Sequence, residues 1–127
     1  MTISLTLDMT AATPPYEQVR AQLAGHIRAG TLRPGDKLPV VRALAADLGV
    51  ATNTIARAYR ELEARGLVTT RRRVGTIVQA GPSPAGPELR NQAVALVEAA
   101  RRSGLSDDAV IDLVRGAVLG DHARSPE

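Results

Sequence analysis

Val41-Arg42-Ala43-Leu44-Ala45-Ala46-Asp47-Leu48, then Gly49-Val50-Ala51, then Thr52-Asn53-Thr54-Ile55-Ala56-Arg57-Ala58-Tyr59-Arg60-Glu61-Leu62 is the stretch that decides the fold of this chain. Its first eight residues put Val41, Leu44, Ala45 and Leu48 on one side of a helix, the spacing of a buried stripe. Gly49 stops that helix, and Gly49-Val50-Ala51 makes the connection. Thr52 is expected to cap the next helix with its hydroxyl. Ile55, Tyr59 and Leu62, with Ala58 beside them, form its inward stripe, and Gly66 ends it. Asn53 and Arg57, four residues apart, share the opposite face.

The flanks extend this core in both directions. Upstream, Ile3, Leu5 and Leu7 alternate with Thr2, Ser4, Thr6 and Asp8, a period of two that predicts a strand. Thr10 to Pro15 reads as a linker whose closing Pro14-Pro15 opens a helix. Val19, Leu23 and Ile27 are its stripe and Gly30 its stop, and Pro34-Gly35-Asp36 turns the chain toward Lys37-Leu38-Pro39. Downstream, Leu67-Val68-Thr69-Thr70 and Thr76-Ile77-Val78 read as two strands joined by a basic tip, Arg71-Arg72-Arg73-Val74-Gly75. Gly81-Pro82-Ser83-Pro84-Ala85-Gly86-Pro87 is a linker by composition. Two helices follow. The first, from about Pro87 to Arg102, carries Leu89, Ala93, Leu96, Val97 and Ala100 and stops at Gly104. The second is capped by Ser106 and opened by Asp107 and Asp108, which suit the positive end of its dipole. It carries Val110, Ile111, Val114, Ala117 and Val118.

A helix, a helix-turn-helix and a two-stranded hairpin, in that order, predict an α+β, mostly helical chain. An N-terminal winged helix-turn-helix is followed by a small C-terminal helical segment. The expected divisions are an N-terminal strand and linker over 1–13, the winged domain over 14–79, a linker over 80–87, and two helices with a tail over 88–127.

Composition narrows the function. The 127 residues carry a net charge of +3, unevenly spread. Residues 1–80 hold eleven basic and six acidic side chains, a net of +5, while residues 81–127 hold five and seven, a net of −2. Fifteen of the sixteen basic residues are arginine, whose planar fork suits phosphate and guanine. High-GC coding also favours arginine, but it does not explain the cluster Arg71-Arg72-Arg73. Cysteine is absent, which excludes disulfides, thiolate metal sites and cysteine nucleophiles. No apolar run approaches the ~20 residues of a membrane span, and the first residues lack the pattern of a signal peptide, so a cytoplasmic protein without a membrane is expected. No Gly-rich phosphate loop or His–carboxylate cluster is present. His26 sits among helical surface positions and His122 lies in the tail. Asp107, Asp108 and Asp112 read as helix capping and a solvated face rather than a metal site. An enzyme is therefore not expected, and neither is a cofactor or a metal.

The motif specifies a chemistry. A helix fits the major groove of B-DNA, where asparagine can pair with adenine and arginine with guanine. Asn53 and Arg57 stand where such readers would be, with a solvated face as the alternative. Thr52 and Thr54 lie where backbone N–H groups meet a phosphate. Arg42, at the start of the preceding helix, is a candidate phosphate or groove contact whose alternative is a salt bridge to Asp47 or a neighbouring acid. Arg71, Arg72 and Arg73 would repel one another unless an anion sits nearby, and arginines enter narrow minor grooves readily. Gly75 would let the backbone approach DNA closely.

Pro15-Tyr16-Glu17-Gln18-Val19, Gly35-Asp36-Lys37-Leu38-Pro39, Val41 to Ala45, Leu48 to Glu63, Gly66-Leu67-Val68 and Gly75-Thr76-Ile77-Val78 together resemble the GntR family of bacterial transcription regulators. The resemblance covers about residues 14–79. The Tyr-Glu-Gln opening, the Asn-Thr-Ile-Ala-Arg-Ala-Tyr stretch and the short C-terminal region are most similar to the YtrA subfamily. It implies DNA contacts from Arg42, Thr52, Asn53, Thr54, Arg57 and Gly75, whereas Arg71 to Arg73 are added on charge alone. It also implies two C-terminal helices for dimerisation and no large effector domain. Three departures stand out. Val40 replaces a serine cap and leaves the second helix prone to fray. Ala51-Thr52 leaves the base preference open. Arg73 stands where a wing glycine is usual, predicting a more basic and less tightly turned tip.

A C-terminal segment of this size is too small to bury two apolar helix faces. Leu89, Leu96, Val97, Val110, Ile111, Val114 and Val118 are expected to pair with a second copy, though folding back on the first domain is the alternative. The expected function is sequence-specific binding of double-stranded DNA by a homodimer. Repression at a palindromic operator is the implied mode, with control of a transporter operon suggested by analogy and any small-molecule effector unknown. The competing reading is a winged helix used for protein–protein contact. Such modules usually lose the basic face that this chain keeps.

Overall fold

The computed structural model describes residues 4–79 and 86–124, which divide into two units, one before and one from Gly86. The strand expected over 2–8 and the 81–87 linker both fall partly outside the described residues, and His122 has no described side chain. In the first unit Pro15–Ala29 forms α1, Val41–Leu48 α2, Thr52–Ala64 α3, Val68–Arg71 β1 and Gly75–Val78 β2. The fold is a winged helix-turn-helix. Among the described residues, no helix is long and apolar enough to cross a membrane.

The three helices converge on one apolar core. Val19, Leu23 and Ile27 of α1 meet Leu44 of α2 and Ile55 and Leu62 of α3. Each such side chain contributes roughly 1.5–3 kcal/mol by leaving water. No polar side chain is buried among the described residues. The turn between α2 and α3 closes in a Schellman arrangement: Val50 N–H donates to Ala45 O at 3.0 Å and Gly49 N–H to Ala46 O at 3.3 Å. Gly49 takes φ of +71°, a conformation that strains any residue with a Cβ. Val50 then packs against the core. Tyr59 closes the assembly from the other side. Its hydroxyl donates to Pro39 O at 2.6 Å, tying α3 to the segment that leads into α2. Burial pushes that hydroxyl's pKa up, so it remains a neutral donor.

The wing is a β1–β2 antiparallel hairpin in the register Val68↔Val78 to Arg71↔Gly75, with Val68 and Val78 facing the core. The segment after α1 adds a third strip to it. Leu38 N–H donates to Thr76 O, Val78 N–H to Asp36 O and Gly35 N–H to Val78 O, each at 2.8 Å. The Pro34–Pro39 stretch, a turn and a short connection in the sequence, is thus an edge of the sheet.

The alternation at the N-terminus is real, but its partner is a helix. Residues 4–8 are extended without forming a strand. Gln22 pairs with both backbone groups of Thr6 (2.9 and 2.6 Å) and Gln18 with both of Asp8 (2.8 and 2.9 Å), while the His26 ring meets Ser4 O at 3.0 Å. Two extended residues advance about 6.6–6.8 Å and four helical residues about 6 Å, so a polar ridge spaced by four on α1 can replace a ladder. Leu5 and Leu7 turn inward onto the core. His26 is therefore not a plain surface histidine.

The second unit is a helical hairpin of α4 (Pro87–Arg102) and α5 (Asp107–Arg124). Ser106 caps α5 as expected, its Oγ accepting from Ala109 N–H at 3.2 Å. Arg101 bridges to Asp107 across the turn at 3.1 Å.

Tyr59→Phe is expected to lower stability by about 1–2 kcal/mol, because Pro39 O loses its partner. Urea denaturation with the wild-type m-value would check it.

Candidate nucleic-acid interface

The face of α3 available to a ligand is set by what the same helix buries. Ile55, Ala58, Tyr59 and Leu62 all point into the core. Asn53 and Arg57 stand exposed on the far side as expected, and Arg60 joins them. Arg60 is a candidate the sequence reading passed over. Its spacing of three from Arg57 and seven from Asn53 was the available signal. Thr52 is exposed and Thr54 half-buried.

The start of α3 corrects one expectation. The cap residue is Ala51, not Thr52, and it makes no side-chain bond. Ala51 O accepts from Thr54 N–H at 3.0 Å, so Thr52 is already the first helical residue. Its hydroxyl cannot serve the helix as a cap from there. Val40 likewise heads α2 without a side-chain cap, yet its carbonyl takes the first helical bond from Leu44 N–H at 3.1 Å. Neither helix has an acid in its first turn, whereas α1 has Glu17, α4 Glu88 and α5 Asp107 and Asp108. The positive ends of the helix-turn-helix pair are thus left without anionic groups of their own.

Arg42 lies exposed in the first turn of α2. The ion pairs formed among the described residues engage Arg20, Arg65, Arg101 and Arg115. Arg42 makes none, so the alternative of a bridge to Asp47 is not realised, and Arg57, Arg60 and the wing arginines are also without one. Arg57 has a different neighbour. Its guanidinium carbon sits 3.7 Å from the centre of the Tyr16 ring, at the start of α1. Tyr16 is a second residue missed by sequence reasoning, since no spacing rule relates positions 16 and 57.

At the wing tip Arg71, Arg72 and Arg73 are all exposed. The turn is tighter than expected. Val74 N–H donates to Arg71 O at 3.1 Å, and Arg73 takes φ of +68°, the left-handed conformation in which glycine is at ease. The arginine adopts the glycine geometry at a cost of roughly 1–2 kcal/mol. Gly75 follows at φ of +115° with open space where a Cβ would be. The hairpin stem is hitched to α3 by Thr70 N–H, which donates to Glu63 at 3.3 Å. Among the described residues, no group of His, Asp and Glu could hold a metal ion.

Comparison with known proteins supplies the frame for this geometry. The family described as bacterial regulatory proteins, gntR family, matches residues 15–78. The HTH-type transcriptional regulator Rv1152 of Mycobacterium tuberculosis is 53% identical over 74 residues, 58% of this chain and 61% of that one. The HTH-type transcriptional repressor YtrA of Bacillus subtilis is 40% identical over 74 residues, 58% of this chain and 57% of that one. The chain therefore spans about three fifths of the length of these two relatives. Among solved structures, the AraR DNA-binding domain in complex with operator ORX1 is 26% identical with a TM-score of 0.54, covering 61% of this chain and 98% of that one.

Arg73→Gly is expected to leave the melting temperature unchanged or raised, because it releases the strained φ. If this face takes a nucleic acid, the same change should lower the salt slope of binding to duplex DNA by about one, measured by titration at several salt concentrations.

Proposed function

The chain belongs to the GntR family of bacterial regulatory proteins, and from that premise we propose that it is a transcriptional regulator binding double-stranded DNA sequence-specifically as a homodimer. The observation that carries the reading is the polar face of α3, where Asn53, Arg57 and Arg60 stand exposed and neither arginine forms an ion pair among the described residues. In this reading α3 lies in the major groove, with Asn53 facing adenine and Arg57 facing guanine. Arg42 and the bare N-termini of α2 and α3 take phosphates. Arg71 to Arg73 reach into a minor groove, and Gly75 allows the backbone to follow.

The homodimer rests on the second unit. Among the residues of the α4–α5 hairpin whose burial is described, only Ala100 and Val110 are buried. Val110 is thus spent inside one copy, and Val97 is half-covered. Leu89, Leu96, Ile111, Val114 and Val118 remain exposed, joined by Val94, Leu113 and Leu119. A soluble monomer rarely leaves so many large apolar side chains bare on so small a unit, and a second copy of the same hairpin is the partner proposed for them. Two half-sites then lie a helical turn or a multiple apart, which implies a palindromic operator. Repression is proposed by analogy with the Bacillus subtilis relative, a transcriptional repressor. Control of a transporter operon, and any small-molecule effector, belong to the same proposal by analogy.

The test is binding to a duplex selected by the chain from a randomised pool. Asn53→Ala or Arg57→Ala should cost about 1–3 kcal/mol and flatten the preference at one base pair. A loss equal on all sequences would place α3 outside the groove. Ile111→Glu with Val118→Glu should halve the mass in light scattering and weaken binding to the palindrome about 100-fold or more.

A further inference from the structure

We propose that Tyr16 is a positioning residue for base readout: its ring holds the Arg57 guanidinium in the orientation in which Arg57 meets a base edge. The proposal rests on the DNA-binding reading above and extends it to a residue outside the helix-turn-helix.

The two residues come from different helices and are 41 positions apart in sequence, yet the guanidinium carbon lies 3.7 Å from the ring centre. That is stacking distance for a cation on an aromatic face. Stacking occupies one face of the guanidinium and leaves its N–H donors, which lie in the plane, pointing past the ring. Those donors have no hydrogen-bond or ion-pair partner among the described residues. Arg57 is therefore held by its face and open at its edge, which is the geometry that bidentate pairing with guanine O6 and N7 requires.

The ring is itself held in place. Pro14 and Pro15 restrict the backbone just before it, and Tyr16 packs half-buried against the core. Two ion pairs, each within its own helix, accompany this packing. Glu17 and Arg20 pair at 2.6 Å on α1, and Glu61 and Arg65 pair at 3.1 Å on α3. Glu17 also feels Arg65, and Arg20 feels Glu61. A free arginine loses rotamer freedom when it binds a base, and the stack removes part of that freedom in advance.

The experiment measures the affinity of the full chain for the selected duplex and for a scrambled one, with the melting temperature of each variant. Tyr16→Phe keeps the ring and should bind as the wild type does. Tyr16→Leu should weaken binding to the selected duplex about three- to fivefold and leave the scrambled duplex unchanged. In an Arg57→Ala background the Tyr16→Leu change should have no further effect. In the free protein, the Arg57 side-chain N–H resonance should move in Tyr16→Leu and not in Tyr16→Phe, a reading that survives if Tyr16→Leu melts early. A Tyr16→Leu loss that is equal on both duplexes, or that persists without Arg57, overturns the positioning role alone. A wild-type chain that selects no sequence from the pool overturns the DNA-binding reading and this role with it.

Discussion

The burial of a single stripe on α3 governs the rest of this molecule. Ile55, Ala58, Tyr59 and Leu62 are spent against α1, α2 and the base of the wing. A helix that buries one stripe has no freedom to rotate about its axis, since any rotation would exchange apolar for charged groups in the core. Asn53, Arg57 and Arg60 are therefore outside by necessity. Tyr59 adds direction to this constraint. Its hydroxyl is the polar tip of a buried ring, and its bond to Pro39 O sets where the entrance of α2 sits relative to α3.

The surfaces around that helix share a common feature, which is positive potential left unanswered from within the chain. The wing arginines, Arg42 of α2 and Arg57 and Arg60 of α3 form no ion pair among the described residues. The two helix N-termini beside them lack both side-chain caps and first-turn acids. Arg73 goes further and holds a left-handed backbone conformation that a glycine would occupy without strain. A positive charge is kept at the tip of the wing despite its conformational cost.

The α4–α5 hairpin shows the opposite balance. Its helices are well formed, with Ser106 capping α5 and Arg101 bridging to Asp107, yet among the described residues its interior holds only Ala100 and Val110. Two helices in contact along one line cannot enclose apolar arcs as wide as these. Ile111 stays 56% exposed and Val118 53%. The difference between the two units is one of layer count: three helices and a hairpin enclose a core, and two helices do not.

Most of the element order was legible in the sequence, because periodicity, proline and glycine punctuation are local signals that one chain carries openly. The stripes of α1 and α3, the stops at Gly30 and Gly49, the wing strands and the Ser106 cap all follow from residues within a few positions of one another. That Asn53, Arg57 and the wing arginines stand exposed was legible for the same reason. What the sequence could not disclose were relations between distant residues. The extended run Ser4–Asp8 announces its backbone shape but not that Gln18, Gln22 and His26 take the place of a neighbouring strand. The cap of α3 shifted from Thr52 to Ala51, since which residue's backbone stays extended depends on how the preceding turn closes. The third strip of the sheet and the stack of Tyr16 on Arg57 exist only once α1, α3 and β2 are packed. Local patterning determined which faces this protein hides and shows. Tertiary packing alone decided which side chains from far apart in the chain meet, because such contacts depend on the positions of whole helices rather than on any repeat within them.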